Sequence, residues 1–415
     1  MSKNIKIGMF GFGVVGQGLY DVLNKAKGIK ADVYKICVKD RNKRRSIPDY
    51  HFTYDKDDIL TNPEIDVVVE LINDSEKAYE IVTTALKNGK SVVSANKKMI
   101  AEHMVELVEL QQKYNVSLLY EASSCGSIPI IRNLEEYYDN ELLYSVSGIF
   151  NGTSNFILTK VFSENIGYEI ALKQAQDLGF AETDPTSDVD GYDPKYKLCI
   201  IASHAYGIFV EPTLVFNYGI RHLSKFDIQF AKEKGYKIKL VPTAAKLDNK
   251  KVAMFVMPRF VTPEDNLYDV DNEYNGVTVQ AAFADEQFFY GKGAGGHPTG
   301  SAVLSDISAL TYTYRYEYKK FLQQEKLQYT TEVELEIYVK YTNINDLKSL
   351  KFINISEKYF SKNYNYVIGN IILTDLIKAK EILTNRDIFI VNTGKALKEI
   401  KKDISKKSID EAIML

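Results

Sequence analysis

The sequence predicts an α/β chain in three parts: a doubly wound parallel sheet, an α+β middle and a small C-terminal α+β module. Three observations predict it. Apolar strand-like runs alternate with helical patterns over about the first 125 residues. In the middle, helical patterns come first and strand-like runs follow. From about residue 330 the composition shifts toward Lys, Asn and Tyr, and Val333, Leu335, Ile337 and Val339 alternate with Glu334, Glu336, Tyr338 and Lys340. A length of 415 residues is enough for two or three domains with a sizeable core. The expected parts are residues 1–130, 131–320 and 330–415.

The first stretch, IKIGMFGFGVVGQGLYDVLNKA, reads as strand, glycine-rich turn and helix, with Val14, Val15, Leu19, Val22 and Leu23 at helical spacing. Strands are expected at Tyr34 to Val38, Val67 to Ile72, Ser91 to Ala95 and Val116 to Tyr120. Helices are expected near Lys77 to Lys87 and Lys98 to Tyr114. The middle carries helical patterns at Phe156 to Phe162, Glu169 to Leu178 and Pro194 to Tyr206. Strands are expected at Val252 to Arg259, after the turn at Asp248-Asn249, and at Val277 to Phe283. A helix from about Thr299 to Tyr314 is expected to return to the first domain. The last part offers a strand with one buried face at Val333 to Lys340. Two more strands, Tyr366 to Leu373 and Ile388 to Val391, bracket a helix at Leu376 to Leu383, and a Lys-rich tail follows.

Composition excludes several function classes. Hydrophobic residues are 45% and charged residues 26%, ordinary for a globular protein, and a net charge of −3 gives no reason to expect nucleic acid. Cys37, Cys125 and Cys199 are too few and too scattered for a disulfide framework or a structural zinc site. No apolar run reaches membrane-spanning length and no signal-peptide core opens the chain, so a cytoplasmic protein is expected.

Gly11, Phe12, Gly13, Val14, Val15 and Gly16 match the G-x-G-x-x-G dinucleotide fingerprint in its confirming context, after an apolar strand and opening a helix. The glycines permit the tight turn, the approach of backbone to a pyrophosphate and the packing of helix on strand, and the helix N-terminus faces the phosphates. This predicts a Rossmann nucleotide-binding domain. At the end of the second strand, Lys39 and Arg41 flank Asp40, and Lys43, Arg44 and Arg45 follow. Cations there suit a 2′-phosphate and favour NADP over NAD; a solvated basic loop is the competing reading. Ser94 and Lys97 sit at the C-terminal end of a strand, where open α/β sheets bind ligands, although exposed lysines are commonly just solvated.

Residues 179–197, GFAETDPTSDVDGYDPKYK, crowd Glu182, Asp184, Asp188, Asp190 and Asp193 ahead of Lys195 and Lys197. With Pro194 in the first helical turn, Asp193 lies at or beside the N-cap, and Lys197 four residues on shares its face. A lysine beside carboxylates stays protonated and can donate a proton, but a helix-start salt bridge explains the spacing equally well. The glycine-rich run Gly291 to Gly300, holding His297, precedes a helix and suits backbone approach to a ligand. The five histidines show no metal-ligand spacing.

Taken together, the sequence closely resembles the homoserine dehydrogenase family. The resemblance spans Lys6 to about Asp306 and rests on GFGVVGQG, VVSANKKMIA, YEASSCGSIPII, NGTSNFILT, the acidic run and GKGAGGHPTGSAV. The acidic run is its most specific part, with Ala175, Gly179, Pro185, Asp188, Gly191, Asp193 and Lys197 at the family's spacings. The resemblance implies reversible reduction of aspartate 4-semialdehyde to homoserine with NAD(P)H. It implies Lys197 as proton donor, with Lys97 near the reacting oxygen and Asp193 holding the donor. Glu182, Asp193 and Asp188 are the implied substrate carboxylates, and Gly179, Gly293, Gly295 and Gly296 the implied cofactor contacts. A sodium ion near Glu121, Ser124, Gly126 and Ile128, a dimer through a middle substrate-binding and dimerisation domain, and a C-terminal ACT-like amino-acid sensor, often for threonine, are implied as well.

The chain departs from the family pattern at Asn73-Asp74, where Gly-Gly is common, and at Ser124-Cys125-Gly126-Ser127. Tyr341-Thr342-Asn343-Ile344 also lacks the Pro-Gly turn usual in ACT domains. The competing readings are an inactive amino-acid-binding regulator and a dehydrogenase of another small amino-acid aldehyde. The intact Lys97, Lys197, Glu182 and Asp193 argue against the first.

Overall fold

The computed structural model describes residues 4–248, 250–323, 326–362 and 364–400. The Lys-rich tail, the last fifteen residues of the expected 330–415 module and Asn249 of the expected turn lie outside the described residues. From the N-terminus run β1 (Ile5–Phe10), α1 (Val14–Lys25), β2 (Ala31–Cys37), β3 (Phe52–Thr53), α2 (Asp57–Leu60), β4 (Val67–Glu70), α3 (Ser75–Lys87), β5 (Ser91–Ser94), α4 (Lys97–Tyr114) and β6 (Leu118–Leu119). There follow α5 (Ile130–Glu135), β7 (Leu143–Ile149), α6 (Gly152–Glu164), α7 (Tyr168–Asp177), α8 (Thr186–Val189), α9 (Tyr192–Tyr206), β8 (Phe216–Asn217) and α10 (Lys225–Glu233). Then come β9 (Lys237–Lys246), β10 (Lys251–Val261), β11 (Tyr274–Ala281), β12 (Glu286–Lys292), α11 (Gly296–Ala309) and α12 (Lys319–Leu322). The chain closes with β13 (Gln328–Thr330), β14 (Val333–Tyr341), β15 (Phe352–Phe360), β16 (Asn365–Ile372), α13 (Leu373–Asn385), β17 (Ile388–Asn392) and β18 (Lys398–Glu399). Among the described residues no helix is long and apolar enough to cross a membrane.

Two compact units divide the chain. The first draws on Met1–Asn140, Cys199–Glu211 and Gly291–Gln323; the second on Glu141–Leu198, Pro212–Tyr290 and Gln324–Leu415. In the first, a six-stranded sheet runs β3-β2-β1-β4-β5-β6 with every pairing parallel. This is the doubly wound sheet the alternation of strand and helix predicts. Its central strands are buried on both faces: Ile7, Met9, Val68 and Val69 are fully covered. The strand order reverses at β1, so the loop after β1 opens at the topological switch point where such sheets bind ligands. Helix α11 packs against α1 through glycine. A Cβ on Gly18 would stand 2.0 Å from the Gly296 carbonyl oxygen, and one on Gly300 would stand 2.6 Å from the Leu19 nitrogen.

The second unit is built on a mixed sheet whose main path is β12-β11-β7-β9-β10-β17-β14-β16-β15. β9 and β10 pair antiparallel from Val252↔Lys246 to Val261↔Lys237, and a bridge between Arg259 and Asn392 carries the sheet on into the C-terminal strands. Those strands stand in the order β17-β14-β16-β15, all antiparallel, with α13 between β16 and β17. Between β14 and β15 there is only a short 3-10 turn, Ile344–Ser349, which Asn343 caps through the Asn345 amide.

Several boundaries differ from expectation. Helix α9 begins at Tyr192, so Asp193 lies inside its first turn rather than at the cap; Gly191, at φ +82, turns the chain into it. Leu373 opens α13 instead of ending a strand. The strand expected at Val116 to Tyr120 shrinks to Leu118–Leu119, because the Val116 amide still bonds the Gln111 carbonyl at the end of α4. β14 shows one buried face only as far as Glu336. From Ile337 onward both faces are covered: Tyr338 packs on Phe230 of α10 and donates to Asp227 Oδ1 at 2.9 Å, and Lys340 pairs with Asp387. The sequence does not announce β7, β9 or β15. β7 takes its register from distant partners, β11 and β9, whereas β9 and β15 pair with the strands that directly follow them, β10 and β16.

Candidate active site

At the nucleotide end of the first unit, the fingerprint glycines play three different parts. Gly11 adopts φ +95, and a Cβ there would meet the Leu71 carbonyl oxygen at 2.7 Å. A Cβ on Gly16 would stand 2.6 Å from the Gly11 oxygen, whereas nothing lies within 4 Å of the Gly13 position. Gly13 is the N-cap of α1 and no side chain caps that helix, while Val14 is 71% exposed. An uncapped twelve-residue helix behind an open glycine cradle suits a pyrophosphate. Phe12 turns inward against Phe52 and Tyr20, so only its backbone is left for a ligand. Lys39 and Arg41 are exposed, and the Arg41 guanidinium lies 4.6 Å over the Tyr54 ring.

Glu70, which the sequence does not single out, organises the floor of this end. It is fully buried at the tip of β4; one carboxylate oxygen accepts from the Ile72 amide (2.7 Å) and the other from Ser94 Oγ (2.6 Å). Ser94 Oγ in turn accepts from the Asn96 amide. Asn96 Nδ2 returns to the Ile72 carbonyl, and Asn96 Oδ1 caps α4 at Met99. This closed ring sets Lys97 as the first residue of α4 and engages the Ser94 hydroxyl as donor to Glu70 and acceptor from Asn96. Burial pushes the Glu70 carboxyl up to about 7. Its only signal in the sequence is a carboxylate interrupting the apolar run Val67 to Ile72. Asp74, one of the departures from the family pattern, caps α3 by accepting from the Lys77 amide.

The second unit brings the acidic run together. Lys197 Nζ donates to Asp193 Oδ2 and to the Phe150 carbonyl, both at 2.7 Å, and the two side chains are 10% and 5% exposed. Asn151, the N-cap of α6, reaches both Asp188 Oδ1 (2.7 Å) and Asp193 Oδ2 (2.9 Å) with its Nδ2. Asp193 Oδ2 therefore accepts from an ammonium and an amide at once, which fixes where Lys197 can point. Thr153 Oγ1 bonds the Phe180 carbonyl and ties the start of α6 to the run. Gly179, at φ +76 with open space around it, ends the α7 turn, and Glu182 is exposed. The Asp184 carboxylate accepts from the Thr186 amide just ahead of α8, and Asp190 pairs with Arg221, so both shape the loop. Lys97 belongs to the first unit and the Asp193–Lys197 pair to the second.

The loop expected to hold a cation is in the first unit. Both Glu121 carboxylate oxygens are engaged by the Ile131 and Arg132 amides at the start of α5. Burial and then the nearby Asp306 push the Glu121 carboxyl up to about 8. What the loop offers a cation is the buried, unpartnered Ser124 Oγ and backbone carbonyls shaped by Cys125 and Gly126, both at positive φ. Among the described residues no group of three or more His, Cys, Asp or Glu could hold a metal ion. In the second glycine cluster the Lys292 and Gly293 backbone lies against Gly126, Gly295 adopts φ +122 before α11, and Gly296 packs on Gly18.

A family model described as homoserine dehydrogenase matches residues 129–308, and one described as homoserine dehydrogenase, NAD binding domain, matches residues 11–121. A homoserine dehydrogenase of Bacillus subtilis is 37% identical over 322 residues, 75% of this chain and 74% of its own length. The chain belongs to the homoserine dehydrogenase family. The homoserine dehydrogenase of Lactococcus lactis is similar at 36% identity over 314 residues, covering 73% of each chain. The crystal structure of a homoserine dehydrogenase from Thiobacillus denitrificans superposes with a TM-score of 0.83 at 28% identity, over 95% of this chain and 99% of that one. A hyperthermophilic archaeal homoserine dehydrogenase in complex with NADPH superposes at 0.66 with 27% identity, over 75% of this chain and 99% of its own. The chain is thus an NAD(P)-dependent oxidoreductase, and homoserine dehydrogenase chemistry is what its site must perform.

Proposed function

We propose that the chain reversibly reduces L-aspartate 4-semialdehyde to L-homoserine, with Lys197 as the proton donor. The observation that carries this reading is the ammonium of Lys197, buried and aimed by Asp193 and the Phe150 carbonyl. The nicotinamide cofactor, when bound, supplies the hydride to the aldehyde carbon. Negative charge then builds on the aldehyde oxygen, and Lys197 Nζ delivers the proton that makes it a hydroxyl. In the oxidative direction the same amine takes the proton back. Asp193 holds the donor in place, Lys97 adds positive charge toward the same oxygen, and Glu182 with Asp188 receives the substrate ammonium. The fingerprint glycines and the first turn of α1 hold the cofactor, with Gly179, Gly293, Gly295 and Gly296 shaping the chain near it.

The test follows NAD(P)H absorbance with aspartate semialdehyde or homoserine, wild type beside Lys197→Ala. The variant should lose about 10²–10⁴ in kcat; an inactive wild type or an unimpaired variant overturns the reading. Exposed Arg41 and Lys39 support NADPH over NADH, which the same assay with both cofactors decides. A sodium ion on Ser124 and the carbonyls of Glu121, Gly126 and Ile128 would lower activity when sodium is exchanged for tetramethylammonium. We read the chain as three parts, 1–130, 131–320 and 330–415, in a cytoplasmic homodimer or larger homo-oligomer that sedimentation would reveal. The strand order β17-β14-β16-β15 supports an ACT-like reading of the last part, and an unchanged rate under threonine titration would remove its role as a threonine sensor.

A further inference from the structure

Residues 216–222 run between the acidic run and the C-terminal strands, and both sides of this strap are occupied. Asn217 is 2% exposed; its Nδ2 donates to the Asp190 carbonyl at 2.8 Å. Its Oδ1 accepts from two lysines, Lys195 at 3.0 Å and Lys380 at 2.8 Å. Lys195 belongs to α9, two residues before Lys197, whereas Lys380 belongs to α13 of the C-terminal module. The Tyr192 ring lies 4.7 Å from the Lys195 ammonium and 5.6 Å from that of Lys380, so it faces both cations. The neighbouring residues divide the same way. The Tyr218 hydroxyl bonds the Ile388 carbonyl and His222 Nε2 bonds the Thr384 carbonyl, both in the module. The Ile220 amide bonds the Val189 carbonyl, and Arg221 holds both Asp190 oxygens, on the side of the acidic run. A Cβ on Gly219 would stand 1.8 Å from the Val189 oxygen, so the strap lies directly on the loop that leads into α9.

We propose that Lys380 and Asn217 are positioning residues for the helix that carries Asp193 and Lys197, and that through them the C-terminal module sets where the proton donor points. The inference rests on the catalytic reading of Lys197 given above. Two ammonium groups on one amide oxygen repel each other, and the same side chain also fixes the Asp190 backbone through its Nδ2. Removing the Lys380 charge relaxes the repulsion and frees one lone pair of Asn217. Lys195, and with it the first turns of α9, can then shift. Burial also holds the Lys380 ammonium below the ordinary lysine range.

The experiment uses the full chain with saturating cofactor. Lys380→Met should lower kcat and raise KM for the semialdehyde, together roughly 3- to 30-fold, because small misplacements of a proton donor cost rate steeply. KM for the cofactor should stay unchanged. Lys380→Arg, which keeps the charge and the donors, should recover most of the loss. Lys195→Met combined with Lys380→Met should be clearly less than multiplicative, since both act through Asn217. Kinetics equal to wild type in Lys380→Met, or a lowered melting temperature with unchanged kcat and KM, overturns the proposal. Multiplicative losses, or no recovery in Lys380→Arg, overturn it as well. If Lys197→Ala is inactive and Lys380→Met is normal, the coupling alone falls; if Lys197→Ala is fully active, the catalytic reading falls.

Discussion

Two buried lysines of the second unit, each paired with an aspartate and each leaning on α6, show what separates a working lysine from a structural one. Lys239 donates to Asn155 Oδ1, to the Val270 carbonyl and to Asp271 Oδ1, so all three of its N–H groups are taken, and its side chain is 2% exposed. Lys197 gives two to Asp193 and Phe150 and is more open. The asparagines of α6 that support them, Asn151 for Asp193 and Asn155 for Lys239, stand one helical turn apart. The lesson is one of valence: a saturated ammonium can only hold the fold, whereas one with a donor to spare can give a proton to something that arrives.

The two lysines themselves should show the largest effects. Exchanging Lys197 for Met should reduce turnover per folded molecule to about 10⁻²–10⁻⁴ of wild type, beyond the stability lost by stranding the Asp193 carboxylate. Lys239→Met should cost stability alone, about 1–3 kcal/mol in urea unfolding, because Asn155 and the Val270 carbonyl lose their buried donor. Its kcat per folded molecule should be preserved. A smaller and graded contrast is expected one layer out. Asn151→Ala removes an N-cap and frees Asp193, so it should cost about 1 kcal/mol of stability and also lower kcat. Asn155→Ala should cost stability alone. The mildest effect is on pH. Burial holds the Lys239 ammonium down to about 8, against an ordinary 10.5. Between those values the unfolded chain binds the proton and the folded chain does not, so stability should rise with pH across this window. Lys239→Met should flatten that rise in melting curves taken at either end of it.

Much of this is legible in the sequence because its physics is local. The fingerprint needs glycine at particular backbone positions, and Gly11, Gly13 and Gly16 stand where the turn, the open cradle and the helix contact demand them. The i,i+4 spacing alone puts Asp193 and Lys197 on one helical face, and by itself leaves salt bridge and catalysis equally open. What stays hidden is non-local. Glu70 looks like a lone carboxylate inside an expected strand until Ser94 is brought to it. Asn151 is an ordinary helix cap until two aspartates from the acidic run arrive. Ser94 and Glu121 look available to ligands in the sequence, yet the fold spends the Ser94 hydroxyl on Glu70 and the Glu121 carboxylate on the start of α5. Pro194 suggests too late a start for α9, because Gly191 makes the turn.

The discontinuity of the first unit has a consequence for synthesis. Its sheet is finished by residue 119, yet Gly18 waits for Gly296, Ser117 for the Tyr314 carbonyl, and Gln111 for that of Tyr316. At about 5–20 residues per second the ribosome needs on the order of ten seconds or more to supply them. During that interval the nascent nucleotide-binding half carries an uncovered stripe on α1 and unpaired polar groups at the end of α4. A fragment cut after Asn140 would keep them permanently, and so should be a client of chaperones rather than a soluble miniature of the enzyme.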